Sequence, residues 1–292
     1  MKKQLVSLIT YSDLPDLDPD DQLLQAALEK LGFSVQALVW DDESIDWQNA
    51  GVCVLRSSWD YHLKYDKFCN WLNYLSSCCQ VFNSPEQIIW NSRKTYLREL
   101  SEAALPVMPT VFIDKESRRS LKEILSENGW QTAVVKPVIG LATFGVLKLE
   151  NNDESILAAE KHVDSLLERS QVMVQDYLPS VQTYGERALS FIDGKFSHVV
   201  RKSAFQKLAV AGAAGESAAE PAADELSAAG EILSYLKETP LYARVDLLRD
   251  RNNKPLLMEL ELVEPSLFLK NSPKSAELFA DAIARRLACF AH

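Results

Sequence analysis

The sequence predicts an α/β (α+β) fold, and two observations carry the prediction. Through residue 92, short apolar strands alternate with amphipathic helices, as an α/β unit does. Further on, two stretches read as β-hairpins, one around Asp193-Gly194 and one with apolar runs flanking Asn252-Asn253. Composition bounds the rest. The chain has 292 residues, enough for two or three domains, and its 47% hydrophobic and 25% charged content is that of a folded globular protein. A net charge of −10 argues against nucleic acid as a partner, because phosphate backbones are bound through a basic surplus; a nucleotide needs only a few local cations. Five cysteines, none in a C-x-x-C arrangement, fit a reduced intracellular protein better than a disulfide framework. The apolar run after Met1-Lys2-Lys3 is too short for a signal peptide and no run reaches a membrane span of ~18 residues, so the expectation is cytoplasmic, with no membrane partner.

Taken in order, strands are predicted at 4–10, 33–40 and 52–56, with a helix at 21–31. Asp18, Asp20 or Asp21 can cap that helix, Leu23, Leu24, Ala27, Leu28 and Leu31 give it an apolar stripe, and Gly32 stops it. A helix at Asp66–Ser77 and a strand at Gln80–Phe82 complete a first domain, 1–92. No G-x-G-x-x-G follows the first strand, which excludes the usual dinucleotide fold. Ligands gather at strand ends in open α/β sheets, so Arg56, Trp59, Asp60 and Tyr61 are candidates for a polar organic substrate; a loop anchored by a core Trp and a salt-bridged Arg explains them equally.

A helix at 93–103 carrying Lys94 opens a second domain, 93–178. Strands follow at 109–113, 132–137, 145–149 and 171–177, with helices at 118–128 and 153–168. Here Val134-Val135-Lys136-Pro137 leads into a loop holding Gly140, Thr143 and Gly145. Glycines let backbone N–H groups approach phosphate oxygens, and a lysine adds a point charge; a Gly-containing turn accounts for the loop as well. The third domain, 179–292, has the strands 186–192 and 195–201, an Ala-rich stretch, helices at 222–237 and 274–290, and the second hairpin. With that hairpin's turn centred between Asn252 and Asn253, paired residue numbers sum to 505. Asp246 then faces Glu259, and Arg244 faces Glu261. Alternation puts Asp246, Glu259 and Glu261 on one face, with Val245, Leu247, Leu256, Met258 and Leu260 on the other. Carboxylates opposite each other repel by up to ~1 kcal/mol unless something positive lies between, and a divalent cation is one answer. A solvated face of scattered acids is the other.

Together these segments resemble the ATP-grasp superfamily in its glutathione-synthetase-like branch. The resemblance rests on Asn91-Ser92-Arg93-Lys94, Val135-Lys136-Pro137 with Gly140 and Gly145, Val174-Gln175-Asp176-Tyr177-Leu178, Gly185-Glu186-Arg187, Arg244-Val245-Asp246, and Glu259-Leu260-Glu261 with Pro265. Within the branch, Arg56–Tyr61, Trp90–Tyr96 and Glu261–Leu267 are most similar to the cycloserine-biosynthesis O-ureido-serine cyclo-ligase group. The resemblance implies a pre-ATP-grasp domain on the substrate side, a lid subdomain, and a C-terminal subdomain with the metal site, clasping ATP between antiparallel sheets. It implies Lys94 and Lys136 on the phosphates under the Gly140–Gly145 loop. Gln175, Asp176, Tyr177 and Leu178 become the hinge at the adenine, and Glu186 joins the nucleotide set. Asp246, Glu259 and Glu261 become ligands to one or two Mg²⁺ ions, with Mn²⁺ as an alternative. Arg187 and Arg201 become the groups steadying the acyl phosphate, with Lys207 standing in for an arginine that relatives carry after residue 201.

The implied activity is an ATP- and Mg²⁺-dependent carboxylate–amine ligase working through an acyl phosphate, on a small-molecule carboxylate and an amine-type substrate, with an amino-acid-derived or self-cyclising substrate favoured and a homodimer allowed. Two alternatives remain at this stage. One is an ATP-binding protein without ligation, suggested by the atypical segment 203–223. The other is a phosphoryl-transfer enzyme that stops at the phosphorylated product.

Overall fold

The computed structural model describes residues 3–203 and 215–290, and three sheets organise them. The first sheet is parallel: β1 (Leu5–Thr10), β2 (Ser34–Val39), β3 (Val52–Leu55) and β4 (Gln80–Phe82), in the order β2-β1-β3-β4. Parallel strands need crossover connections, and α1 (Pro19–Lys30) and α2 (Tyr65–Cys78) supply them. Asp18 caps α1 by accepting from the Asp20 amide at 2.9 Å. β1 and β3 are covered on both faces, so they read as near-continuous apolar runs. One cover is an aromatic cluster of Trp40, Trp47, Phe68 and Trp71.

Two short helices follow, α3 (Pro85–Asn91) and α4 (Tyr96–Glu102). The second lies within the helix predicted at 93–103, the first precedes it, and Lys94 falls in the turn between the two. The chain turns between them because the Lys94 amide bonds to the carbonyl of Val138, at 3.0 Å, rather than continuing a helical ladder. Lys94 is thereby held against the end of a strand in the second sheet.

That second sheet is antiparallel, in the order β5-β8-β6-β7: β5 (Thr110–Ile113), β6 (Thr132–Pro137), β7 (Leu147–Glu150) and β8 (Val172–Asp176). Helices α5 (Leu121–Asn128) and α6 (Asp153–Leu167) pack on one face of it around Ile124, Val135, Val163 and Val174. A Ser120–Glu123 capping box starts α5, and Gly129, at φ +67°, stops it.

After the single turn α7 (Ser180–Thr183), the third sheet is antiparallel, in the order β11-β10-β9-β12-β13: β9 (Glu186–Ile192), β10 (Lys195–Lys202), β11 (Glu216–Ala219), β12 (Tyr242–Arg249) and β13 (Pro255–Glu261). The β9–β10 turn has Asp193 at φ 52° and Gly194 at φ 72°, the paired positive angles that a two-residue hairpin requires. Helix α8 (Ala223–Ser234) and α4 cover one face of the sheet, with Tyr96, Leu97, Ala229 and Ile232 against Leu189, Val245, Leu257 and Leu260. So α4, which lies in the second domain by sequence order, packs in the core of the third sheet. The last helix, α9 (Ser275–Phe290), packs back on α1 and the first sheet through Phe279, Ile283 and Leu287.

The β12–β13 register is the one the acid pairing needs, reached by a different route. Arg244 pairs with Glu261 and Asp246 with Glu259, but Leu247 pairs with Leu257 and Arg249 with Pro255. The turn is centred on Asn252 and closed by Asp250, whose Oδ1 accepts from the amides of Asn252 and Lys254 at 2.8 and 2.7 Å. A bulge that leaves Met258 unpaired then restores the sum of 505 at the acids. The bulge also exchanges faces near the turn. Leu257 joins Val245 and Leu247 in the core, while Leu256 and Met258, predicted there, pack with Met108, Leu178 and Leu248 on the face of the acids.

Candidate active site

The acids of the β12–β13 hairpin lie where the second and third sheets approach, and each has a cation against it. Arg244 Nε and Nη2 both reach Asp246 at 2.8 Å, and the same guanidinium meets Glu261. Lys202 Nζ lies 3.4 Å from Asp246 and also pairs with Glu186, its cross-strand neighbour. Lys94 Nζ is 2.9 Å from Glu259 and donates to the Gly140 carbonyl at 2.6 Å, tying the glycine loop to the hairpin. Lys136, at the end of β6, forms no ion pair among the described residues, although among the acids Glu259 attracts it most strongly. Asp246 is at the bottom, its side chain 1% exposed, while Glu259 and Glu261 keep 22% and 25% toward the opening.

The protonation equilibria divide these acids. Burial opposes ionisation of Asp246, yet Arg244 and Lys202 outweigh it and hold its carboxyl below the ordinary range. Glu259 is likewise held low against burial by Lys94 and Lys136. For Glu261 burial wins over Arg244, with Asp246 and Glu259 adding repulsion, and its pKa rises to about 7. Glu186 also rises to about 7, through burial and the nearby Asp246, in spite of Lys202. Among the bases, burial lowers Lys136, while in Lys94 the attraction of Glu259 exceeds the burial effect and raises it. Four cations thus face four carboxylates, with two of the acids poised near neutrality. Among the described residues, no three Asp, Glu, His or Cys side chains come close enough to hold a metal by themselves. The donors are nonetheless hard oxygens, and Mg²⁺ commonly takes only one or two protein carboxylates, its remaining ligands being water and phosphate oxygens. Glu259 and Glu261, on one face of one strand and open to the cleft, fit that demand, with Asp246 beside them.

Gly140, Thr143 and Gly145 form the predicted loop between β6 and β7. Gly145 has φ +66°, and a Cβ there would lie 3.0 Å from Leu166 Cδ2 and 3.1 Å from Pro137 Cδ, so the close turn needs glycine. His162 Nε2 bonds to the Gly145 carbonyl at 2.8 Å, and the Phe144 ring rests on His62 of the first domain, 4.9 Å between centroids. On β8, Gln175 Nε2 donates to Thr110 Oγ1 at 3.0 Å. Asp176 pairs with Arg251 from the hairpin turn at 3.1 Å, and Lys148 lies over the Tyr177 ring at 4.4 Å. Leu178 joins Met108, Leu248, Leu256 and Met258 in an apolar wall beside the charged cluster.

Several predicted residues are not brought here. Arg187 and Arg201 lie on the opposite face of the third sheet, because each is one residue along its strand from a site residue, Glu186 and Lys202. Arg187 packs over Tyr184 at 5.2 Å and pairs with Glu225 of α8 at 3.6 Å; Arg201 donates to the Tyr184 carbonyl at 2.7 Å. Arg56 is 1% exposed and acts as an internal clamp. It pairs with Asp21 at 2.8 Å, donates to the Pro265 carbonyl at 2.8 Å and lies over the Tyr242 ring. Asp60 is engaged by Trp40 Nε1 at 2.6 Å and Lys64 at 2.8 Å, and Trp59 Nε1 donates to the Glu264 carbonyl at 3.1 Å. The anchored-loop reading of 56–60 therefore holds for Arg56 and Asp60. Lys207 lies outside the described residues. Sequence reasoning missed Lys202, Arg244 and Met258 as site residues; a regular count through the Asp193-Gly194 turn sets Glu186 opposite Arg201, and the bulge between Phe196 and His198 shifts its partner to Lys202.

Comparison with known proteins gives two family matches. Residues 6–83 match the family described as the D-cycloserine synthetase DcsG N-terminal domain, and residues 98–251 match the prokaryotic glutathione synthetase ATP-grasp domain. The cycloserine biosynthesis protein DcsG of Streptomyces lavendulae is 29% identical over 97% of this chain and 99% of its own. The crystal structure of D-cycloserine synthetase DcsG superposes with a TM-score of 0.87 at 27% identity, over 97% of this chain and 99% of that one. A D-alanine–D-alanine ligase from Bacillus anthracis, solved with ATP, shares the fold at a TM-score of 0.67 and 18% identity, over 97% and 96%.

Proposed function

The chain belongs to the prokaryotic glutathione synthetase ATP-grasp family, and on that premise we propose that it is an ATP- and Mg²⁺-dependent ligase that joins a small-molecule carboxylate to an amine-type nitrogen through an acyl phosphate, releasing ADP and phosphate. One observation carries the reading. Four cations and four carboxylates are interleaved beside an apolar wall, between two antiparallel sheets. A nucleoside triphosphate adds about four negative charges, which the lysines and one or two divalent cations would offset.

A carboxylate is a poor acylating agent because its leaving group is an oxide. Transfer of the γ-phosphoryl group to it creates an acyl phosphate, which the amine attacks at the carbonyl carbon as phosphate departs. Little covalent work falls to the protein, so positioning and charge neutralisation dominate. In this reading Lys94 and Lys136 grip the phosphates under the Gly140–Gly145 loop. Gln175 to Leu178, with Met108 and Met258, hold the adenine. Mg²⁺ on Glu259, Glu261 and Asp246 would neutralise the phosphates when bound. Lys202 and Arg244 take the part first expected of Arg187 and Arg201, steadying the acyl phosphate, because they are the cations that face the cleft. Residues 1–92 supply the substrate side, 93–178 the lid and 179–292 the metal side. The likeness to the cycloserine biosynthesis protein DcsG supports a product of the cycloserine kind and hence an amino-acid-derived substrate. Among the described residues no helix is long and apolar enough to cross a membrane.

The test is nucleotide binding and turnover. Mg·ATP should raise Tm, and ADP should appear when amino acid and hydroxamic acid pools are supplied. Asp246→Asn should weaken Mg·ATP binding by at least about tenfold without unfolding the protein. Unchanged nucleotide affinity in that variant would sink the metal assignment.

A further inference from the structure

Two of the five cysteines meet side by side in the first sheet. Cys53 on β3 and Cys79, at the joint between α2 and β4, have their sulfur atoms 3.5 Å apart. The strand register brings them together. Cys53 pairs with Val81, and Cys79, two residues earlier in extended backbone (φ −150°, ψ 163°), lies on the same face. Both pack in the apolar cluster of Trp40, Phe68, Trp71 and Leu75, Cys53 fully buried and Cys79 half-buried. Cys78, the last residue of α2, is turned back along its helix, its Sγ bonded to the Tyr74 carbonyl at 3.3 Å.

Paired thiols serve either a metal or a disulfide. Among the described residues no third Cys, His, Asp or Glu completes a metal site around them. A disulfide needs its sulfurs at about 2.05 Å, so closure takes an approach of about 1.5 Å from the observed separation. Cys79 stands outside the β3–β4 ladder, where a local shift breaks no strand pairing. The two thiols also differ in reactivity. The Cys53 S–H, bonded to Cys79, favours the Cys79 thiolate and lowers its pKa in spite of burial, with Cys78 adding to the effect. The same bond, together with burial, raises Cys53. The thiolate is the nucleophile, so the accessible Cys79 reacts first and the buried Cys53 resolves.

We propose that Cys53 and Cys79 form an oxidisable site that a peroxide closes to a disulfide and a dithiol reopens. The Cys79 sulfur attacks one peroxide oxygen, the O–O bond breaks, and water leaves behind a sulfenic acid. The Cys53 sulfur then attacks the Cys79 sulfur, the S–S bond forms, the S–O bond breaks, and the hydroxyl departs as water with the Cys53 proton. Two thiols and one peroxide thus give one disulfide and two waters. The bond ties β4, a three-residue strand at the sheet edge, to β3. β4 runs directly into Asn83, whose side chain accepts from the Leu241 amide at 2.6 Å and donates to the Tyr242 and Leu262 carbonyls at 2.9 Å each. The disulfide therefore staples the strand that carries this contact between the first and third sheets. It leaves the charged cleft, which lies between the second and third sheets, unchanged, and it is independent of the ligase reading.

The experiment treats the reduced full chain with hydrogen peroxide, quenches it with N-ethylmaleimide in denaturant and maps the peptides without reductant. The expected product has lost two of its five thiols, is about 2 Da lighter, and holds one cross-link, between Cys53 and Cys79, that dithiothreitol removes. Its Tm should rise by several degrees, with the Kd of a non-hydrolysable Mg·ATP analogue kept within about threefold. Cys53→Ser should abolish the cross-link and leave Cys79 as a sulfenic acid that dimedone labels. Cys79→Ser should slow the loss of the Cys53 thiol by at least about tenfold, and it serves alone if Cys53→Ser does not fold. A cross-link between Cys78 and Cys79, a disulfide between two chains, or a Cys53 thiol that survives while Cys69 and Cys289 are consumed would each overturn the site. So would undiminished oxidation of Cys53 in Cys79→Ser. An unchanged or lower Tm in the cross-linked protein would overturn the staple.

Discussion

The two faces of the third sheet each carry a cluster of buried charge, and they are built differently. On the face away from the cleft, Arg187, Arg201 and Arg249 meet Glu225, Asp224 and backbone carbonyls under α7 and α8, with Tyr184 sandwiched by two guanidinium groups at 5.2 Å each. Its cations are all arginines, held by ion pairs and carbonyl bonds, although Nε of Arg187 and of Arg249 is buried without a hydrogen-bond partner. On the cleft face the cations are mostly lysines, compact point charges that can exchange one partner for another, and two of the acids have pKa values of about 7. A charged cluster is thus structural or functional according to what covers it. The outer cluster is covered by helices, and the inner one lies where the second and third sheets approach.

The sharpest way to break this contrast is to remove one cation from each face. Lys202→Met should lower kcat/KM for ATP-dependent ligation by about 10²–10³-fold. Its effect on Tm should be small, because Glu186, already at about 7, takes up a proton when its partner is lost. Arg187→Met should do the reverse. It leaves Glu225, 1% exposed, with one cation fewer, costing about 3 kcal/mol and several degrees of Tm, while kcat/KM per folded molecule stays within about threefold. If Arg187→Met abolished turnover in folded protein, the division between the faces would be wrong.

A change of pH separates the faces more gently. Glu186 and Glu261 have folded-state pKa values raised to about 7 from an unfolded value of 4.5. Their contribution to stability is therefore complete below about pH 4.5 and is lost as pH rises through 7. Metal binding needs the ionised carboxylates, so the sign is opposite for the ligand: the Tm increment from Mg·ATP should grow between pH 6 and pH 8, and the apparent Mg²⁺ affinity should rise by up to about tenfold per unit. Glu261→Gln should flatten that rise. A pH-independent increment in the unaltered protein would show that neither acid titrates in the cleft.

These contrasts also mark what was legible in the sequence. The acid pairing of Asp246 with Glu259 was readable because strand alternation is local and its period is two. The Met258 bulge was not readable, since nothing in Leu256-Leu257-Met258 distinguishes a regular strand from one with an extra residue, and so the apolar wall beside the acids went unseen. Lys94 was found as a residue but placed in a helix; only the long-range bond to Val138 reveals the turn that aims it. Arg187 and Arg201 were assigned by resemblance to a motif; alternation from Glu186 along its own strand would have corrected Arg187, but the bulge between Phe196 and His198, which turns Arg201 away and brings Lys202 opposite Glu186, leaves no mark in the sequence. Arg56 illustrates the limit of strand-end reasoning. The position is right for a ligand, but α1 fills it first with Asp21.

The smallest expected effect lies within the outer face and asks which of its acids anchors it. Arg249 meets both Asp224 and Glu225, its Nη2 lying 2.9 Å from Asp224 Oδ1 and 3.2 Å from Glu225 Oε1. Distance alone would rank Asp224 first. Exposure reverses the order: the Asp224 side chain is 52% accessible and Glu225 only 1%. Water screens the first pair and can replace it, whereas the second acid has no solvent to fall back on. Asp224→Asn should accordingly change Tm by no more than about 2 °C. Glu225→Gln should cost several times as much, because it strands Arg187 and Arg249 together beside Tyr184. Equal losses in the two variants would mean that the helix holds its arginines by the rim and not by the buried carboxylate, and the outer face would then resemble the inner one in being open to water.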